Sequence, residues 1–246
     1  RQIKRYFPRI VAGFVVGFMV AGAAAAPLQR LLNGAEQLLL VAAVAAGVML
    51  VMLLATNARY HTILARTSEA GPQIKPPSLS KVLAKRFVLL IFAYQMLSAM
   101  VTQLLEYMVM ATAGQRFSGS DTLASFYGIY TFALNLSDLI FLALVAGFLL
   151  SRYGLKFGLT FNPAGVLVIL VAIVASGLAA GPLTPIFFGL VLLIRIVDLT
   201  FTDATTRASI NAAYQALPAH ERVTVQTGVE GVGVPLALGL TGVILL

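Results

Sequence analysis

The chain has 246 residues, of which 59% are hydrophobic and only 11% charged, with no cysteine and no tryptophan. Soluble domains carry about 25% charged residues, so the composition excludes most soluble enzymes, disulfide-framed secreted domains, Cys-based zinc sites and thiol catalysis, and it is too apolar for disorder. The formal net charge of +8 comes from 17 Lys and Arg against 9 Asp and Glu, and its meaning depends on where those charges fall.

The expected class is all-α, a polytopic membrane protein. A spanning helix needs about 20 mostly apolar residues. The apolar runs here are continuous rather than alternating, which selects helices over barrel strands. The opening RQIKRYFPR has neither an apolar core nor a small-residue cleavage site, so it does not read as a signal peptide. The first predicted span, 10–28, is rich in Gly and Ala, and the second covers 36–55. A basic loop follows over 56–86, where Gly71, Pro72, Pro76 and Pro77 prevent a single helix. The third span, 87–113, carries Glu106, and Gln95, Thr102 and Gln103 could share a polar stripe with it. The fourth, 123–150, carries Asn135 and Asp138 three residues apart on one face. The fifth covers 159–180, with Asn162-Pro163 read as a turn signal. The sixth, 185–203, holds Arg195 and Asp198, again three apart, and Asp203 and Arg207 just beyond are spaced for a surface salt bridge. The seventh begins near Val223 and carries Gln226 and Glu230 among Gly228, Gly231 and Gly233.

Alternation across these spans sorts the cations. Fourteen of the 17 Lys and Arg fall on one side, only Arg30 and Arg116 on the other, and Arg195 lies within a span. By the positive-inside rule the start of the chain is cytoplasmic. The positive balance is therefore a topology signal, and no nucleic-acid partner is needed to explain it. Charged residues inside a span cost at least about 2.5–3.5 kcal/mol on insertion scales, so they are expected to face a cavity or a partner. Glu106 is either a cavity carboxylate or an interfacial one, and Asp138 either a site residue or an interhelical hydrogen-bonding group. Arg195 and Asp198 either pair or hold and gate an anion. Tyr127 and Tyr130 read as an interfacial aromatic belt. With no cysteine and no His/Asp/Glu cluster, no metal site is expected, and no phosphate-binding Gly loop or other cofactor motif is present.

The segment Gly147 to Lys156, with Arg152, Tyr153 and Gly154, resembles the loop Gly-x-x-x-Asp-Arg-x-Gly-Arg-Lys of the major facilitator superfamily, with Ser151 in place of the Asp. In that family the loop joins the second and third helices of each six-helix half. The resemblance implies that 1–57 holds the last two helices of an N-terminal bundle, 58–86 a cytoplasmic inter-bundle linker, and 87–246 the first five helices of a C-terminal bundle. The chain would then be a fragment covering about helices five to eleven, with its flanking helices missing. The first and seventh spans would be equivalent in two repeats, and Arg5 to Gly22 and Arg222 to Gly239 are both 17 residues apart. More narrowly, Gln103 to Glu106, Phe126-Tyr127-Gly128, Arg195 to Asp198, Leu217-Pro218, Glu221-Arg222 and Gly228 to Val232 are similar to the nucleotide (ATP/ADP) translocase family and its bacterial relatives. Met110 and Gln226 stand where lysines of the ATP/ADP exchangers are expected.

The resemblance implies a secondary transporter of the plasma (inner) membrane that moves a small anionic solute, such as a nucleotide, by alternating access. Its site would be drawn from Glu106, Gln103, Asn135, Asp138, Arg195, Asp198, Gln226 and Glu230. Arg195, as the one cation within a span, is the best candidate for contact with an anion. The alternative is a transporter-derived sensor or scaffold without transport. A seven-helix receptor fits poorly, because its start lies on the opposite side and the last span has no Lys for a retinal Schiff base. No motif supports a membrane enzyme.

Overall fold

The computed structural model describes residues 2–32, 37–69 and 77–246, with side chains from 16 onward except at 26, 33–36, 61–76 and 219. Among the described residues every regular element is helical. In chain order these are α1 (Gln2–Leu32), α2 (Leu38–Glu69), α3 (Leu79–Leu83), α4 (Arg86–Arg116), α5 (Ser120–Phe141), α6 (Gly147–Ala180), α7 (Pro185–Phe201), α8 (Arg207–Gln215), α9 (Ala219–Gly228) and α10 (Val234–Ile244). Wide π-helical turns at Leu142–Ala146, Thr202–Thr206 and Val229–Gly233 join α5 to α6, α7 to α8 and α9 to α10. Such turns often mark functional positions in helices. Here they fall beside Asp138, Asp198 and Glu230.

Five helical stretches are long and apolar enough to cross a membrane: Leu38–Tyr60, Arg86–Arg116, Ser120–Ala180, Pro185–Gln215 and His220–Ile244. Val16–Ala25 is a shorter apolar helix within α1. The 61 residues of Ser120–Ala180 would reach about 90 Å as one rod at 1.5 Å per residue, three times the ~30 Å hydrocarbon core. The chain instead turns at Gly154, whose φ of 73° suits glycine. Ring contacts fix the directions on either side. Phe126 lies 5.7 Å from Phe188 and Phe141 lies 4.7 Å from Phe201, so α5 runs parallel to α7. Thr206 donates to the Gly158 carbonyl at 3.0 Å, and Gly177 abuts Phe187, so α6 runs antiparallel to α7. The predicted loop between the fourth and fifth spans is therefore a reversal inside a continuous helical stretch.

Local chemistry sets the other ends. Thr184 caps α7 by accepting from the Phe187 N–H at 3.3 Å, with Pro185 in the first turn. Gly181, at φ 89°, ends α6. Arg222 donates to the Tyr214, Gln215 and Leu217 carbonyls where α8 ends, tying the turn to the start of α9.

Two apolar clusters hold the bundle. One joins Val82, Val88, Ile91, Ile210, Tyr214, Leu217, Val225 and Val229. The other joins Leu105, Val109, Tyr130, Leu134, Val166, Ile173, Val191 and Ile194. Val82 lies within the predicted linker 58–86, so the end of that linker packs with the helices that follow it. Its beginning is also helical: α2 continues to Glu69 with a bend at Tyr60. Gly71, Pro72 and Pro76 lie outside the described residues. The sixth predicted span continues as helix to Gln215, and the seventh begins at Ala219 rather than near Val223.

α1 packs antiparallel along α5. A Cβ on Gly22 would stand 2.9 Å from the Phe132 nitrogen and 3.0 Å from the Gly128 carbonyl oxygen, so the two backbones touch. At the far end of this pair the Gln29 amide donates to Asp121 Oδ1 at 2.8 Å and to the Asp121 carbonyl at 3.2 Å. The helix directions collect Lys85, Arg86, Arg152, Lys156 and Arg222 at one end of the bundle, and Arg30 and Arg116 at the other.

Candidate functional site

An arginine in the middle of an apolar helix requires acceptors, and Arg195 on α7 has two. Its Nε donates to Glu106 Oε2 on α4 at 2.6 Å, and its Nη1 donates to Asp198 Oδ2 at 3.2 Å, one turn along α7. The Arg195 side chain is 12% exposed and that of Asp198 only 3%. Glu106 is the opener member at 29%. Thr102, one turn before Glu106 on α4, donates to Asp198 Oδ2 at 2.9 Å. Asn162 on α6 donates to Asp198 Oδ1 at 3.2 Å and to Thr202 Oγ1 at 2.9 Å. Three helices thus meet through one polar network. It contains one cation and two carboxylates, so its fixed charge is −1.

Proline explains why α6 comes so close. Pro163 lies inside α6 and has no N–H to give the Leu159 carbonyl four residues earlier. Tyr94 on α4 fills that place, donating its hydroxyl to the Leu159 oxygen at 3.0 Å. Thr206 adds a second tie at the adjacent Gly158 carbonyl, donating to it at 3.0 Å. The weakened turn of α6 is therefore tied to α4 and to the end of α7, and it delivers Asn162 to Asp198. Tyr94, Ser98, Asn162, Pro163 and Asp198 line a cavity of about 370 Å³ between α4 and α6.

Of the eight predicted site residues the structure brings three together: Glu106, Arg195 and Asp198. Gln103 is exposed, turned away from Thr102. Asn135 is buried but donates to the Thr131 carbonyl of its own helix at 2.8 Å. Asp138 is 1% exposed, and its Oδ1 has no hydrogen-bond partner. Gln226 and Glu230 bond to each other at 3.3 Å, with Glu230 exposed. The expected Asp203–Arg207 ion pair forms at 3.2 Å. Tyr130 is not at a surface but packs in the apolar cluster, stacked on Phe126.

Sequence reasoning missed Asn162 and Thr202 as network members. Asn162-Pro163 reads as a turn signal, yet both residues lie inside a helix. The usable clue was position, since an amide within an apolar run must find partners once lipid surrounds it. Two long-range pairs were also not predicted: Gln29 with Asp121, and Lys85 with Glu221 at 2.6 Å.

Among the described residues no group of three or more His, Cys, Asp or Glu could hold a metal ion. No family model, curated protein or solved structure matches the chain.

Proposed function

We propose that this chain forms part of a secondary membrane transporter of the major facilitator type, similar to nucleotide translocases, that moves a small anionic solute by alternating access. The observation that carries the reading is the Glu106–Arg195–Asp198 network. A mid-membrane guanidinium is held by a carboxylate from a second helix, and its partners are exchangeable. An incoming carboxylate or phosphate can take the guanidinium N–H groups that Glu106 and Asp198 now hold one apiece. Seven spans follow if α1 and α2 each cross once, α5 and α6 count separately on either side of Gly154, and α4, α7–α8 and α9–α10 supply the rest. On this reading α1 and α2 belong to one bundle and α4 to α10 to the other, α1–α5 is a contact between bundles, and the basic end is cytoplasmic in the inner membrane.

Uptake and exchange of labelled nucleotides and other organic anions by the full-length protein in liposomes tests the reading. Uptake should fall to background with Arg195→Ala. Absence of uptake for every anion offered would sink it. The alternative, a sensor or scaffold built on a transporter fold, draws on one specific observation: two carboxylates already neutralise Arg195, and Met110 and Gln226 supply no further cation. It predicts ligand-free function and normal fold in the same assay, with no flux.

A further inference from the structure

The charge of the network raises a question of substrate coupling. With Glu106 and Asp198 both on Arg195, the cluster carries −1 before any solute arrives. An anion meeting it must displace a carboxylate, and the displaced carboxylate then stands in the membrane without a counter-charge. A second, positive ligand would remove that cost.

The place for one is on the far side of Asp198 from Arg195. Arg195 and Thr102 bind Asp198 Oδ2, whereas Oδ1 faces Asn162. The Asn162 Nδ2 group sits between Asp198 Oδ1 at 3.2 Å and Thr202 Oγ1 at 2.9 Å. Asn162 is 4% exposed, and its own Oδ1 is buried without a partner. Half a turn of the amide brings that orphan oxygen around to the other two. Three oxygens on α6 and α7 then converge: a carboxylate, an amide carbonyl and a hydroxyl. These are the ligand types of a hard cation.

Size and charge select the ion. Oxygen ligands of Ca²⁺ stand at about 2.3–2.6 Å, and Na⁺ has nearly the same ionic radius. Neighbouring ligands of an octahedral site with those bonds lie about 3.3–3.7 Å apart, a few tenths beyond the 3.2 and 2.9 Å seen here. A single carboxylate, already shared with Arg195, is too little charge for a divalent ion in this surrounding, and K⁺ would need a wider cradle. The adjoining cavity of about 370 Å³, with Ser98 in its lining, leaves room for further oxygens, including water.

We propose that Asp198, Asn162 and Thr202 form a Na⁺ site whose occupancy neutralises Asp198 and releases Arg195 to take the anionic solute, so that the two ions are carried together. The coupling half of this inference rests on the transporter reading, and the binding half does not. Binding is tested on the full-length protein in detergent by following the thermal unfolding midpoint against NaCl, with choline chloride holding ionic strength constant. A saturable rise with NaCl, absent with choline and weaker with KCl, is expected. Thr202→Val, which keeps the side-chain shape, and Asn162→Ala should both abolish it. A response equal to choline, or one unchanged in both variants, overturns the site. In liposomes, anion uptake should rise at least tenfold with an inward Na⁺ gradient. Uptake indifferent to Na⁺ overturns the coupling while the transporter reading stands. A Na⁺-dependent midpoint without uptake of any anion leaves the site standing and overturns the transporter.

Discussion

At the scale of single residues, Arg195 and Tyr94 separate two kinds of membrane polarity. Arg195 joins charges that cost more apart than together. Breaking a buried pair by removing one partner typically costs about 3–5 kcal/mol, because the other charge is left behind. Asp198, at 3% side-chain exposure, is the charge that would be left, whereas Glu106, at 29%, can turn outward. Arg195→Ala should therefore lower the unfolding midpoint in detergent far more than Glu106→Gln. Equal effects would mean that Asp198 is sustained by Thr102 and Asn162 alone. Tyr94 serves the backbone, donating its hydroxyl to the Leu159 carbonyl. Tyr94→Phe keeps the ring and removes only the donor to Leu159, so it should cost about 1–3 kcal/mol, the price of an unsatisfied buried carbonyl. Replacing Pro163 with Ala in the Tyr94→Phe background restores the missing N–H and should recover most of that loss. A double variant no more stable than Tyr94→Phe would refute the link between the proline and the tyrosine.

At the scale of elements, what the sequence reveals is unequal, and for identifiable reasons. Span length and polarity are dictated locally by the thickness of the hydrocarbon layer, so α4, α5, α6 and α7 fall where apolar runs predict them. The reversal at Gly154 is also local, since few residues tolerate its φ of 73°. Asn162 shows where local reading fails. Asparagine before proline favours a turn in water, but within a bundle the Leu159 carbonyl freed by Pro163 finds Tyr94 and Asn162 finds Asp198. Those partners are 65 and 36 residues away, beyond any periodicity. The same holds for the Gly22 contact, whose neighbours belong to α5. Gly22→Ala should push α1 from α5, because both opposing atoms are backbone and neither can rotate aside. Overpacking of this kind costs about 1–3 kcal/mol. Gly17→Ala, on the same helix with nothing within 4 Å, should be neutral or slightly stabilising through helix propensity. Unfolding midpoints of the two variants, measured side by side, check the asymmetry.

At the scale of the whole molecule, the α1–α5 contact decides whether there is one body or two. If α1 belongs to a separate bundle, alternating access requires this contact to open and close at its Gln29–Asp121 end. Gln29 is 6% exposed and bonded to Asp121, and with Arg30 and Phe117 the pair borders a cavity of about 750 Å³. The end is thus closed at the pair and open beside it. The 246 residues contain no cysteine, so a Gln29→Cys, Asp121→Cys pair can be cross-linked with a short thiol reagent without competing sites in this part of the chain. The cross-link should form readily, abolish uptake and be reversed by a cleavable reagent. Added substrate should slow its formation, because a carrier that opens this end to exchange solute spends less time with the two positions adjacent. Uptake that continues with the link in place would mean α1 and α5 move as one unit, and the division of the chain into two bundles would fall with it.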